Sequence, residues 1–81
     1  MFVIMRLEVV LGKYIDPQVL VAFRDADKAF NYIERAAAEL GCGIQTDEDF
    51  SLENDARAVY YLIDGRNHIR YKYCICSVAV F

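Results

Sequence analysis

Three cysteines, one histidine and two clusters of charge are the side chains of this chain best suited to chemistry, and their spacing decides what they can do. Cys42, Cys74, Cys76 and His68 nominally make a Cys3His zinc set. On an extended strand, however, His68 and Cys74 stand about 20 Å apart at ~3.3 Å per residue. Zinc holds every ligand within ~2.3 Å of one point. Cys74 and Cys76 share a strand face and are able to meet Cys42, yet three thiols without a fourth ligand make a poor site. The expectation is therefore structural cysteines, with no metal and no cofactor. A Cys74–Cys76 disulfide is disfavoured, because same-face neighbours on a strand sit about 6.6 Å apart. The same strand geometry keeps His68 from acting as base to either thiol. No triad is visible, no carboxylate pair is fixed on regular elements, and Gly41-Cys42-Gly43 follows a helix instead of opening one. The chain reads as a protein that is not an enzyme.

Residues 47–55 carry Asp47, Glu48, Asp49, Glu53 and Asp55 and no basic group. The alternating oxygen side chains look like the start of a calcium loop. The sixth position of such a loop needs glycine and the twelfth glutamate, and here they are Leu52 and Ala58. The segment reads instead as a solvated acidic loop, or as an interaction loop that meets a basic surface on a partner. The opposite charge gathers in Arg66, His68, Arg70 and Lys72, which alternate with Ile69, Tyr71, Tyr73 and Ile75. In the simplest reading the tyrosines pack under a helix and the cations face solvent. In the functional reading the cations, supported by Arg57, form a basic strip for an acidic or phosphorylated partner. Sheets that bind RNA stack bases on exposed aromatics, whereas these aromatics and cations fall on opposite faces. The net charge of −3 also opposes binding to a nucleic-acid backbone. The partner-binding candidates are thus Asp47, Glu48, Asp49, Glu53, Asp55, Arg66, Arg70 and Lys72, directed at a protein, with no direct nucleic-acid contact.

Hydropathy patterning indicates the elements that must position these groups. Residues 2–11 alternate, with Val3, Met5, Leu7, Val9 and Leu11 on one face and Arg6 and Glu8 on the other, the mark of a half-buried strand. Gly12–Pro17 breaks the pattern, and Asp16-Pro17 is a turn dipeptide. Gln18–Phe23 reads as a second strand that closes a hairpin. Asp25 is placed to cap a helix and Asp27 to favour its first turn. Ala26, Ala29, Phe30, Ile33, Ala37 and Leu40 then form one apolar stripe, ended by Gly41. Residues 42–56 show no period and read as a long loop. Arg57–Asp64 is a strand, Asp64-Gly65-Arg66-Asn67 a hairpin turn, and His68–Phe81 a long final strand. The expected fold is α+β: one domain over residues 1–81, with one helix packed on an antiparallel sheet of about four strands in the order β-β-α-β-β.

Composition sets further bounds. A chain of 81 residues buries about 60% of its unfolded surface and has stability on the order of 5 kcal/mol. Yet 57% of its residues are apolar, and about 62% once the four glycines are counted, against roughly 45–50% in typical soluble domains. That surplus points to a partner interface or to self-association. An odd cysteine count without framework spacing fits a reducing compartment, hence the cytoplasm. The opening MFVIMRLEVVLG lacks a basic leader and is interrupted by Arg6 and Glu8, so neither a signal peptide nor a membrane span is expected.

A strand pair, then VLVAFRDADKAFNYIERAAAELG, an acidic spacer and a closing YYLIDG…IRYKYCICSVAVF hairpin together resemble the small β-β-α-β-β accessory proteins of phages and mobile elements, anti-CRISPR and other host-takeover proteins among them. The resemblance lies in the layout and covers most of the chain. It implies a non-catalytic inhibitor that binds and blocks a host protein complex, often as a homodimer. Two rival readings stand beside it. One is a self-assembling accessory protein that pairs through a β-edge near Val78–Phe81. The other is a regulatory domain that holds a small ligand under its helix.

Overall fold

The computed structural model describes residues 1–47 and 56–77. The chain runs through β1 (Phe2–Val10), β2 (Lys13–Phe23), α1 (Ala26–Leu40), β3 (Gly43–Thr46), β4 (Ala56–Ile63) and β5 (Ile69–Ser77). All strands join one antiparallel sheet in the order β2-β1-β5-β4-β3. The α+β class agrees with expectation, but among the described residues, which hold one helix, the sheet has five strands where about four were expected. The additional strand, β3, comes from the stretch read as a loop. Its sequence, Gly-Ile-Gln-Thr, has little strand character of its own. It is recruited by the free edge of β4, where Gly43 pairs with Ile63 and Thr46 with Tyr60.

The helix starts and stops for local reasons. Asp25 holds extended dihedrals and its Oδ1 accepts the N–H of Asp27 at 3.1 Å, which satisfies one of the orphan donors of the first turn. At the other end Gly41 takes φ 67°, a left-handed conformation that costs glycine little. This lets Gly41 N–H reach Ala38 C=O (3.2 Å) and Cys42 N–H reach Ala37 C=O (2.9 Å), a Schellman closure. Between these caps, Ala29, Ile33 and Ala37 are buried one turn apart against Ile4, Leu62, Tyr73 and Ile75. The two alanines let the helix backbone approach the sheet closely. Ala26 and Leu40, expected in the same stripe, are exposed because they lie at its two ends.

Helix length and sheet width are matched. The helix joins the two edge strands, β2 and β3, and touches β1, β2, β3 and β5 on the way. Fifteen residues at ~1.5 Å rise give about 22 Å, and four strand spacings of ~4.8 Å give about 19 Å. One helix therefore spans this sheet from edge to edge and covers part of one face.

Which face it covers reverses the expectation for the first strand. In β1 the residue with no exposure is Ile4, which pairs with Ile75 and Val21 in the core under the helix. Val3, Met5, Leu7 and Val9, the alternating row, lie on the face with no helix. The turns differ as well. The first hairpin turns at Leu11-Gly12, both with positive φ (51° and 76°), so the strands pair up to Val10 and Lys13. Asp16-Pro17 is not the turn but an irregularity inside β2, where Asp16 has φ 50° and the register shifts between Arg6 and Glu8. Proline is tolerated there because β2 is an edge strand. The second hairpin turns where expected. Asp64 accepts the N–H groups of Arg66 (2.9 Å) and His68 (3.0 Å), and Asn67 supplies the left-handed residue at φ 66°. Among the described residues no helix is long and apolar enough to cross a membrane.

Candidate functional site

The sheet separates the chemical groups that the sequence left free to meet. Cys42 packs against the cluster on the helix side. Cys74 and Cys76 pair with Met5 and Val3 and so belong to the opposite face. His68 lies exposed in the second turn, before β5 begins. Burial pushes the Cys74 thiol above its usual range, so it is a poor nucleophile where it stands. Among the described residues no three metal-type side chains come together.

The acidic candidates Glu48, Asp49, Glu53 and Asp55 lie outside the described residues. Asp47 lies within them and has a structural partner: its Oδ2 accepts the hydroxyl of Tyr61 at 2.9 Å. Burial, then the hydrogen bonds of Asp47 and Tyr14, hold the Tyr61 phenol well above the ordinary tyrosine range. The basic candidates form no continuous row on the last strand. Arg66 and His68 sit in the turn, because β5 starts only at Ile69. Arg70 is 3.7 Å from Asp64, whose carboxyl is held below its usual range by the His68 and Arg66 backbone N–H groups. Lys72 lies on the helix-free face with its ammonium 4.9 Å from the centre of the Tyr14 ring. The side chain of Arg57 lies outside what the structure describes. Tyr73 is buried beneath the helix as its alternation implied.

A feature absent from the sequence reading is the shared end of the two hairpins. Because β1 and β5 are antiparallel neighbours, the Leu11-Gly12 turn and the Gly65–His68 turn project from the same end of the sheet. Between them lies an open cleft of about 720 Å3 walled by Val9, Val10 and Leu11 on one side and His68, Ile69 and Arg70 on the other. Leu11 is 97% exposed. Val10, Tyr14 and Ile69, which line the same cleft, are exposed as well. Among the described residues no helix reaches this end. The alternation that placed Leu11 on a strand's buried face concealed this; the clue was Leu-Gly between two paired runs, where a two-residue turn demands positive φ twice.

The second feature is the helix-free face itself. Val3, Met5, Leu7 and Val9 are half-buried there, Val59 and Cys74 are buried, and Val19 stands out at 71% exposure. Antiparallel sheets with one covered face ordinarily turn polar residues to the other. Here the polar groups are gathered toward one part of the face, in the set Tyr14, Lys72, Tyr61 and Asp47.

No protein-family model, curated protein or solved structure matches this chain.

Proposed function

We propose that this chain is a non-catalytic protein-binding module that grips its partner with the end of the sheet where the two hairpin turns stand side by side. The observation that carries this reading is Leu11. A residue with a Cβ costs about 1–2 kcal/mol in the left-handed conformation, and this leucine then holds its whole side chain in water. Asparagine would make the same turn at lower cost. The fold gains nothing from leucine at this position, whereas a complex gains an apolar anchor already held in place. Val10, Tyr14 and Ile69 line the cleft with that anchor, and Arg70, with Arg66 in the adjoining turn, supplies the polar rim usual at protein interfaces. Asp64 fixes the second turn through its two backbone hydrogen bonds, so the rim is preorganised too.

The layout resemblance gives this module the role of an inhibitor of a host protein complex, acting in the cytoplasm. The test is capture from nuclease-treated lysate of the native host on immobilised protein, with Leu11→Asn in parallel. Wild type is expected to retain one stoichiometric protein, and the variant at least tenfold less of it while melting no lower than wild type. A nucleic-acid-processing or defence complex as the captured species supports the inhibitor role. Equal capture by both proteins overturns the assignment to the hairpin end.

A further inference from the structure

We infer that the flank of α1 beside the end of β2 is a binding site for a small aromatic phosphate, a pyrimidine mononucleotide, held by Phe23, Lys28, Asn31, Tyr32 and Arg35. This does not rest on the hairpin-end reading. Phe23 pairs with Phe2, at the end of the sheet away from the Leu11-Gly12 turn.

The helical period builds the site. Ala29, Ile33 and Ala37 seat α1 on the sheet. Lys28, Asn31, Tyr32 and Arg35 recur beside them at three- and four-residue steps and so share one flank. These four side chains and Phe23 line a cavity of about 210 Å3. Its aromatic wall is fixed. The Phe23 and Tyr32 rings lie 6.0 Å apart, tilted by 54°, and both pack against the core cluster while staying half-buried. Rings held in this way offer a stacking surface with little rotamer freedom left to lose on binding.

Charge selects the ligand. The chain carries −3 overall, yet none of the five lining residues is acidic and two are cations. An exposed helical cation is stabilised by an acid one turn away. Lys28 has Tyr32 in that position, and Arg35 forms no ion pair with Glu39 one turn on. Among the described residues the side chains of Lys28, Asn31 and Arg35 have no ion pair or hydrogen bond. Lys28 and Arg35 stand about 10 Å apart along the axis at ~1.5 Å per residue, a span that two long side chains close on one phosphate. Their two charges match the roughly −1.5 to −2 of a phosphate monoester at neutral pH. The Asn31 amide carries donors and an acceptor together, which suits a nucleobase edge; a plain phenyl ring has no such edge. Size narrows the choice further. A cavity of ~150 Å3 admits benzene, so about 210 Å3 holds one ring with a small group beyond it.

Amide NMR titrations of the full chain test the site. The probes are uridine monophosphate and cytidine monophosphate, with uridine, phenyl phosphate, adenosine monophosphate and inorganic phosphate beside them. One pyrimidine nucleotide is expected to bind with a dissociation constant below about 1 mM, and each of the other four probes at least about tenfold more weakly. The shifts are expected to centre on Phe23, Asn31 and Tyr32. Lys28→Ala and Arg35→Ala, both at exposed helical positions that favour alanine, are expected to weaken that binding at least about tenfold with circular dichroism unchanged. Absence of binding by either pyrimidine nucleotide up to about 5 mM overturns the inference. So does inorganic phosphate, phenyl phosphate or adenosine monophosphate that binds as tightly as the pyrimidine nucleotide. Unchanged affinity in both alanine variants also overturns it, since the ligand would then sit elsewhere.

Discussion

Replacing Ile4 and Met5 one at a time tests the assignment of the sheet's two faces more sharply than any other change. The residues are adjacent, both apolar, and on opposite sides. Ile4 has no exposure and packs under the helix with Ile33, Leu62, Tyr73 and Ile75, whereas Met5 is half-buried on the other face. Ile4→Ala removes three carbons, about 2.4 kcal/mol of transfer free energy at ~0.8 per methylene. The cavity left between helix and sheet raises the cost to about 3–4 kcal/mol. Against a stability on the order of 5 kcal/mol that variant is close to unfolded. Ile4→Val, at about 1 kcal/mol, is the measurable version. With a urea m-value of ~1 kcal/mol/M it lowers the denaturation midpoint by about 1 M. Met5→Ala, which leaves a site already open to solvent, costs under about 1 kcal/mol in the monomer. Urea melts followed by circular dichroism at low micromolar chain read all three. If Met5→Ala proves as damaging as Ile4→Ala under those monomeric conditions, the helix is on the wrong face and the argument from β1 fails.

Three further outcomes are expected. Leu11→Asn should stabilise the fold by about 1 kcal/mol through relief of left-handed strain, raising the melting temperature by roughly 4–8 °C, and a lowered melt would contradict the strain argument. Asp25→Ala removes the cap on Asp27 N–H and should cost about 1 kcal/mol, read as a lower urea midpoint, while Asp25→Asn should cost little. Burial raises the phenols of Tyr60, Tyr61 and Tyr73 above the ordinary ~10. Because unfolded tyrosines then lose their protons first, the stability these groups confer is complete below about pH 10 and falls as pH rises beyond it. Absorbance titration near 295 nm should show part of the tyrosine ionising only with unfolding, and Asp47→Asn should bring Tyr61 down toward the ordinary range. Reversible ionisation of every tyrosine near pH 10 in folded protein would contradict the burial.

The parts of this fold that were legible in the residues are those governed by neighbours along the chain. Asp25, the Ala29–Ile33–Ala37 spacing and Gly41 specify a helix and both its ends, because capping and amphipathicity act within a few residues. The turn at Asp64–Asn67 was legible for the same reason, as was the alternation that sends Tyr73 inward and Lys72 outward. Sequence-local signals failed where two apolar patterns competed. Asp16-Pro17 is a turn dipeptide anywhere, but the pairing of Glu8 with Ile15 and Val10 with Lys13 pulls it into a strand.

Of the candidate site, Arg66, Arg70 and Lys72 could be named from sequence, but their separation into turn, ion pair and aromatic stack could not. Alternation puts Leu11 on the apolar face of the first strand, because it carries no information about where a strand stops. The residues by themselves determined that there is one capped helix, an antiparallel sheet with a closing hairpin, an acidic balance and an excess of apolar side chains. Only the tertiary structure decided that, among the described residues, five strands receive one helix just long enough to span them, and that Ile4, not Val3 or Met5, lies beneath it. The reason is that period-two alternation defines two faces of a strand without saying which will meet the helix. That choice is made by Ile4, Tyr73, Ile75 and Leu62, which reach one another only once β1, β5 and β4 are paired.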